Sequence, residues 1–414
     1  MDNSFFIGNR QELYEKIEAG SLAVVFSGSA PRKTNDEYYP FFANRNFMYL
    51  TGVDQSEAIL LCLKDESPEE MLYIPPPDVM IERWQGRRVK DTEASDISGI
   101  EKIQYINEFE AVIDRALLSG DYGTIYIPLF KKTSDEPDGP EYRLVRYIKK
   151  RFPHIAVKDL MPQLKAVRFI KKPCEIAAMK EAQIITREAI LAMMKASKPS
   201  MMEYEYRAEF DYVLMKHGIA APAFPPIISA GKNNFSIHYH GCGGVANDGD
   251  MILNDVGAWR DNVMNDVSRA WPCNGRFNER QRLLYQCAYE TSNYMFGKIK
   301  PGMPMGDVDA EIKRYNFERL KEIGVCKSFD KIGTYMWHGG AHHVGWDVHD
   351  VVAVTPATPI ASDMVFCVDI GIYHEEWGIG FRLEDNCLVT ENGCENLSKE
   401  IPRSIEEIES FMKK

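Results

Sequence analysis

Absences narrow the field before any motif is considered. No run in the chain approaches the roughly 18 apolar residues of a membrane-spanning helix. The opening segment, MDNSFFIGNRQELYEKIEAG, lacks the basic-then-apolar order of a secretory leader. No two of the nine cysteines stand at CxxC spacing, and they form no regular framework. Together these predict a cytoplasmic protein with reduced thiols and no membrane partner. No glycine-rich loop has phosphate-binding spacing, so ATP or dinucleotide use is unsupported. No GxSxG elbow is present. Basic residues are outnumbered, 49 against 61 acidic, for a net charge of -12. That balance disfavours nucleic acid, which wants a basic face. It leaves an anionic substrate open, because local fields can oppose the global charge. Short-period repeats and low-complexity tracts are missing too.

What is present is a chain of 414 residues, 45% of them hydrophobic, enough for two domains. The first part alternates helices and strands. A helix is predicted over residues 9–19, with strands at 21–28, 46–53, 57–63 and 70–76. A polar loop over 83–90, a helix near 107–118 and a strand at 122–129 follow. A helix over 142–151 and a short strand complete an α/β pattern that closes near residue 162. Trp84 and the basic pair Arg87-Arg88 mark a surface or interface patch. A second domain, 163–414, opens with a long helix begun by Pro173 and a further helix over 202–217. Strand-like segments then alternate with two long helices. The recurrence of helices and then strands is compatible with an internal duplication.

Two pairs of acidic residues dominate this second part. Asp255 and Asp266 flank a predicted turn centred on Arg260 and Asp261, which would place them directly opposite each other. Opposed side chains on one face have Cβ atoms roughly 4.5–5.5 Å apart. Two carboxylates there repel unless cations intervene, and two ions roughly 3.5–4 Å apart would fit. A solvated charged turn is the alternative. Asp369 and Glu384 repeat the geometry about Glu376 and Trp377. Asp369 ends the apolar run MVFCV, so it must be paired, hydrogen-bonded or metal-bound. Arg382 shares the face of Glu384, and an Arg382–Asp369 ion pair without metal is the competing arrangement. Histidines crowd the same region. WHGGAHHVGWDVHD carries His338, His342, His343 and His349, and NNFSIHYHG carries His238. Carboxylates and an imidazole suit a divalent ion such as Mn²⁺ better than a structural zinc. The chemistry these residue types point to is metal-assisted hydrolysis.

Several segments carry a resemblance to a known family. They are YYPFFANRNFMYLTGV, ERWQGRR, AVRFIKKPCEIAAMKEA, SAGKNNFSIHYH, ILNDVGAWRDNVMNDVSRAWPCNGRF, HGGAHHVGWDVHD and GIGFRLEDNCLVTENGCENLS. In these segments the chain resembles the pita-bread-fold metallopeptidases, in particular the Xaa-Pro aminopeptidases (aminopeptidase P). The resemblance implies an α/β N-terminal domain over 1–162 and an α+β pita-bread catalytic domain over 163–414. It implies five metal ligands, Asp255, Asp266, His342, Asp369 and Glu384, holding two divalent ions. Mn²⁺ is expected, with Zn²⁺ or Co²⁺ as alternatives, and Asp266 and Glu384 would bridge. His238 would stabilise the oxyanion. His349 would position substrate, and His338 and Arg382 would support the pocket. The implied substrate is a peptide with proline second, and the implied assembly a homodimer or homotetramer. Trp84 would then lie near a neighbouring active site.

The chain departs from the family at Asp369, where the family carries glutamate, usually before Pro-Gly. Aspartate keeps the charge but is one methylene shorter. A misplacement of about 1 Å can cost about 100-fold. His343 stands where tryptophan is frequent, and is a candidate extra ligand or substrate contact. Two other readings follow from these features: a dipeptidase of the prolidase type, and a catalytically impaired binding or assembly homologue.

Overall fold

The apolar run SLAVVF folds as the strand Ser21–Phe26, buried along its whole length. In the computed structural model, which describes residues 1–351 and 353–413, it lies inside a six-stranded mixed sheet. It pairs antiparallel with Ile59–Lys64 and parallel with Thr124–Ile127. Glu69–Ile74 and Lys102–Tyr105 extend one side, and Ala156–Asp159 the other. Leu22, Val24, Leu61, Tyr73, Ile113, Ile125 and Ile148 form its core.

Three expectations for this part are corrected. Residues 46–53 belong not to a strand but to the helix Arg45–Thr51. The Asn44 side chain accepts from the N–H groups of Asn46 and Phe47, and Gly52 closes the helix at φ 67. All seven residues of this helix are buried, so its apolar run shows no helical period. The first helix begins earlier than 9–19, at Asn3–Tyr14, because Asp2 caps it by accepting from the Phe5 N–H. The polar stretch at 83–90 is divided between the helix Val79–Gln85 and a loop, and the helix Asp91–Ser98 follows it.

The chain divides into Met1–Arg168 and Phe169–Lys414, beyond the expected boundary at 162. That position falls inside the helix Met161–Arg168. Two hydrogen bonds tie this helix to the first unit. The Tyr49 hydroxyl donates to the Val167 carbonyl at 3.1 Å, and Arg168 Nη1 donates to Asn46 Oδ1 at 2.8 Å.

The second unit runs through the same order twice. Helices Pro173–Ala196 and Glu203–Lys216 precede an antiparallel sheet of Ile227–Ala230, Met251–Val256 and Val267–Pro272, with Met251–Val256 in the middle. Helices Glu279–Lys298 and Met305–Glu322 precede a second antiparallel sheet. It holds Val365–His374, Ile379–Val389 and Cys394–Asn396, with Ile379–Val389 central. One core spans the unit, with Trp271, Tyr285, Phe366 and Phe381 among its largest members. No helix among the described residues is long and apolar enough to cross a membrane.

The register of the two hairpins sets the site. Asp369 pairs directly with Glu384, as the sequence midpoint predicts. The other hairpin differs. Asp255 pairs with Ser268, not Asp266. The turn residues are Asp261 and Asn262, at φ 47 and 67, not Arg260 and Asp261. Asp and Asn tolerate that left-handed conformation, and two such residues in a row fit a tight hairpin turn. The register therefore moves by two, which keeps Asp255 and Asp266 on one face but sets them diagonally.

Candidate metal centre

Side chains alternate along a strand, so Cys367, Asp369, Gly371 and Tyr373 share a face with Arg382, Glu384 and Asn386 across the ladder. Asp255 and Ser268 present a second such face. The two meet around a cavity of about 200 Å³. Asp255, Asp266, Asp369, Glu384, His238, His338, His342, His349 and Arg382 all line it. His343 does not. Its ring lies 5.9 Å from that of Phe169 and 5.8 Å from that of Phe366, among apolar neighbours. Burial, with the Lys171 charge, lowers its pKa to about 4, so it stays neutral.

The frame behind the cavity is cross-linked by hydrogen bonds and ion pairs. Asn386 Nδ2 donates to the Asp266 carbonyl at 2.8 Å, and the Asp266 N–H donates back to Asn386 Oδ1 at 3.2 Å. Arg269 reaches the Glu384 carbonyl at 2.7 Å and Asp385 at 2.6 Å, and both side chains are almost wholly buried. Arg403 also meets Asp385, at 2.8 Å. These contacts tie the strand of Asp266 to that of Glu384. The loop carrying His342 and His349 is anchored separately. Lys171 Nζ lies 2.6 Å from Asp350 Oδ2, with both side chains buried, and Trp346 Nε1 donates to Glu175 at 2.8 Å.

Asp255, Asp266 and Asp369 each have one oxygen facing a nitrogen and one bare, whereas both oxygens of Glu384 are approached. Arg382 Nη2 lies 2.7 Å from Asp255 Oδ2, so the cation meets Asp255 and not Asp369. Asp369 Oδ2 instead lies 3.2 Å from His338 Nδ1. Ser268 donates to Glu384 Oε2 at 2.9 Å. His342 Nε2 approaches Glu384 Oε1 at 3.2 Å and Asp266 Oδ2 at 3.6 Å. Asp255 Oδ1, Asp266 Oδ1, Asp369 Oδ1 and Glu384 Oε1 are buried without a hydrogen bond among the described residues. Four such oxygens converging on one cavity would be costly unless cations met them.

The titration behaviour agrees. Burial first, and the Glu384 charge second, push the carboxyls of Asp266 and Asp369 well above the ordinary 3.8. Burial opposes a charge on His342, but the Glu384 carboxylate outweighs it and raises the imidazole. Burial lowers His338. Divalent ions would relieve this crowding, and four carboxylates with one imidazole are a suitable donor set. The residues present therefore fit a metal centre. A larger groove of about 670 Å³, lined by Tyr294, Lys298 and Glu311, lies elsewhere, and there Lys298 pairs with Glu311.

Residues 177–391 match metallopeptidase family M24, and residues 6–126 match the aminopeptidase P N-terminal domain. The chain belongs to metallopeptidase family M24. The M24 match spans both hairpins and the histidine loop. The Xaa-Pro aminopeptidase of Haemophilus influenzae is 29% identical, covering 98% of this chain and 96% of that protein. That of Escherichia coli is 28% identical over 98% and 97%. A solved Bacillus anthracis protein described as an aminopeptidase P candidate is 34% identical, with a TM-score of 0.97 and coverage of 100% and 98%. Aminopeptidase P from E. coli, solved with the inhibitor Pro-Leu, gives a TM-score of 0.91 at 27% identity, covering 100% of this chain and 98% of that one. This M24 chain is a metal-dependent peptidase with an α/β first domain and a pita-bread catalytic domain.

Sequence reading did not single out four polar residues of the site. Ser268 contacts Glu384, Tyr373 contacts His338 and Arg382, Asn386 contacts the Asp266 carbonyl, and Cys367 lies beside them. The Tyr373 hydroxyl stands 3.2 Å from both His338 Nε2 and Arg382 Nη1. Strand parity from Asp369 and Glu384 would have flagged Cys367, Tyr373 and Asn386.

Proposed function

We propose that this protein releases the N-terminal residue from peptides with proline in second position, using two divalent ions. Asp255, Asp266, His342, Asp369 and Glu384 would hold the ions. The carrying observation is the set of four buried carboxylate oxygens, on residues lining one cavity, without hydrogen bonds among the described residues. When bound, the ions supply an activated water and polarise the scissile carbonyl. The chain's own groups do the rest. His238, exposed at the rim, donates to the developing oxyanion. His349 stacks on His342 with ring centroids 4.1 Å apart and holds the substrate side of the loop. Arg382 fixes one Asp255 oxygen and leaves the other for an ion. His338 does the same for Asp369.

Mn²⁺ is the proposed ion, with Zn²⁺ or Co²⁺ as substitutes. A zinc-substituted E. coli aminopeptidase P has been solved with product. The free cysteines support a reducing, cytoplasmic setting. A homodimer or homotetramer is proposed around the helix Val79–Gln85. It has no buried residue, and Trp84 on it is 85% exposed. Trp84 would reach the cavity of a second copy.

The test is cleavage of an Xaa-Pro-Xaa tripeptide by protein reconstituted with Mn²⁺, beside a chelated control. Metal-dependent release of the first residue is expected. Cleavage of Xaa-Pro dipeptides alone would shift the protein to the prolidase type. Two bound ions without turnover of either would make it an impaired homologue.

A further inference from the structure

Cys367 lies two residues before Asp369 on the same strand and points to the same side. Its partner across the ladder is Asn386, and that of Asp369 is Glu384. Cys367 thus stands one step further along the face that carries the proposed ligands. Its Sγ joins one ligand atom each from Asp266, His342 and Glu384, and these atoms all lie within 4.8 Å of one another. A single ion can touch donors so spaced. We infer that Cys367 is an additional, soft ligand of the centre, which makes the position beside Asp266, His342 and Glu384 more receptive to thiophilic divalent ions such as Zn²⁺ or Co²⁺ than the second position, for which Mn²⁺ stays the proposed ion. This rests on the dinuclear centre proposed above.

Three further observations support it. Asp266 is 4% exposed and lines the cavity, and its Oδ1 has no hydrogen bond among the described residues. An ion there would meet an Asp266 carboxylate oxygen and the sulfur. Asn386 Nδ2 lies 3.2 Å from Cys367 Sγ while also donating to the Asp266 carbonyl at 2.8 Å. An N–H aimed at sulfur is the kind of outer contact that holds and tunes a thiolate ligand. Asp369, finally, reaches less far than a glutamate would. A zinc–sulfur bond is about 2.3 Å against about 2.0–2.2 Å for oxygen, so sulfur spans a longer gap.

The charges balance. Four carboxylates neutralise two dications. When the thiol binds, its S–H bond breaks, the proton leaves to solvent and a sulfur–metal bond forms. The extra negative charge is met by the buried Arg382 guanidinium in the same cavity.

The test uses the full chain loaded with Co²⁺, with bound ions counted by native mass spectrometry. A sulfur-to-cobalt charge-transfer band in the near ultraviolet is expected, and it should vanish in Cys367→Ser and Cys367→Ala. The Zn²⁺-over-Mn²⁺ affinity ratio should fall on the order of 10-fold in both variants. Two variants guard against one failing to fold, which circular dichroism reports. Two bound cobalt ions with no such band, or a band unchanged in both variants, would overturn the assignment and leave the dinuclear centre standing. Fewer than two bound ions would overturn both.

Discussion

At the residue scale, the ligand field decides behaviour. Ligand atoms of Asp266, His342 and Glu384 lie within 4.8 Å of one another. Asp266→Ala is expected to abolish binding of both ions and lower turnover by about 100-fold or more. Isothermal titration with Mn²⁺, read beside tripeptide cleavage, checks this. Asp369→Glu adds the missing methylene and should raise kcat, by up to about 100-fold where the shortfall is about 1 Å. An unchanged or lower kcat would mean that the backbone already brings Asp369 into reach. The same residues predict a pH dependence. The metal-free fold holds Asp266 and Asp369 above their unfolded value of 3.8, through burial and then the Glu384 charge. A raised folded pKa stabilises below the unfolded pKa, and the gain is lost as pH rises through the folded value. Chelated protein should therefore lose stability as pH climbs above the acid range. The rise in Tm on adding Mn²⁺ should be larger at pH ~8 than at pH ~5, where scanning calorimetry can compare them.

At the scale of elements, hairpin register and loop anchoring carry the site. Gly257 lies where a Cβ would come 1.9 Å from the Asn265 carbonyl oxygen. Gly257→Ala must push the hairpin apart at Asp266. It is expected to cost roughly 1–3 kcal/mol in urea denaturation and to weaken ion binding with it. The histidine loop depends on the Lys171–Asp350 pair. Lys171→Met removes one partner of a buried pair and should cost roughly 3–5 kcal/mol. Where the variant folds, it should lower kcat more than it raises KM, since His342 and His349 shift together. Some of these elements were legible in advance. The Asp369–Glu384 opposition follows from counting to the middle of the loop, and it holds because both strands are long and continuous. The Asp255–Asp266 opposition does not hold. Which two residues enter the left-handed region is decided by Asp261 and Asn262 within the folded hairpin. Cys367 was hidden for another reason: inside MVFCV it reads as one more buried apolar residue, and only its parity with Asp369 marks it as facing the site.

At the scale of the whole molecule, two units carry separate duties. Phe169–Lys414 contains the complete cavity and its own core. Met1–Arg168 offers the exposed helix of Trp84. Trp84→Ala should leave the thermal midpoint nearly unchanged, because the side chain is 85% exposed. It should lower turnover of long peptides if a second copy completes the site, and sedimentation run alongside would show whether assembly changes. The sequence alone determined the family, the carboxylate and histidine types, and the pairing of Asp369 with Glu384. Those depend on residue identity and on short-range counting along the chain. Tertiary structure decided three other matters. Arg382 meets Asp255, not Asp369; Asp266 sits diagonal to Asp255; and His343 turns away from the cavity between Phe169 and Phe366. Each depends on which face meets which across separate strands, and only the packing of the two sheets on one core fixes that.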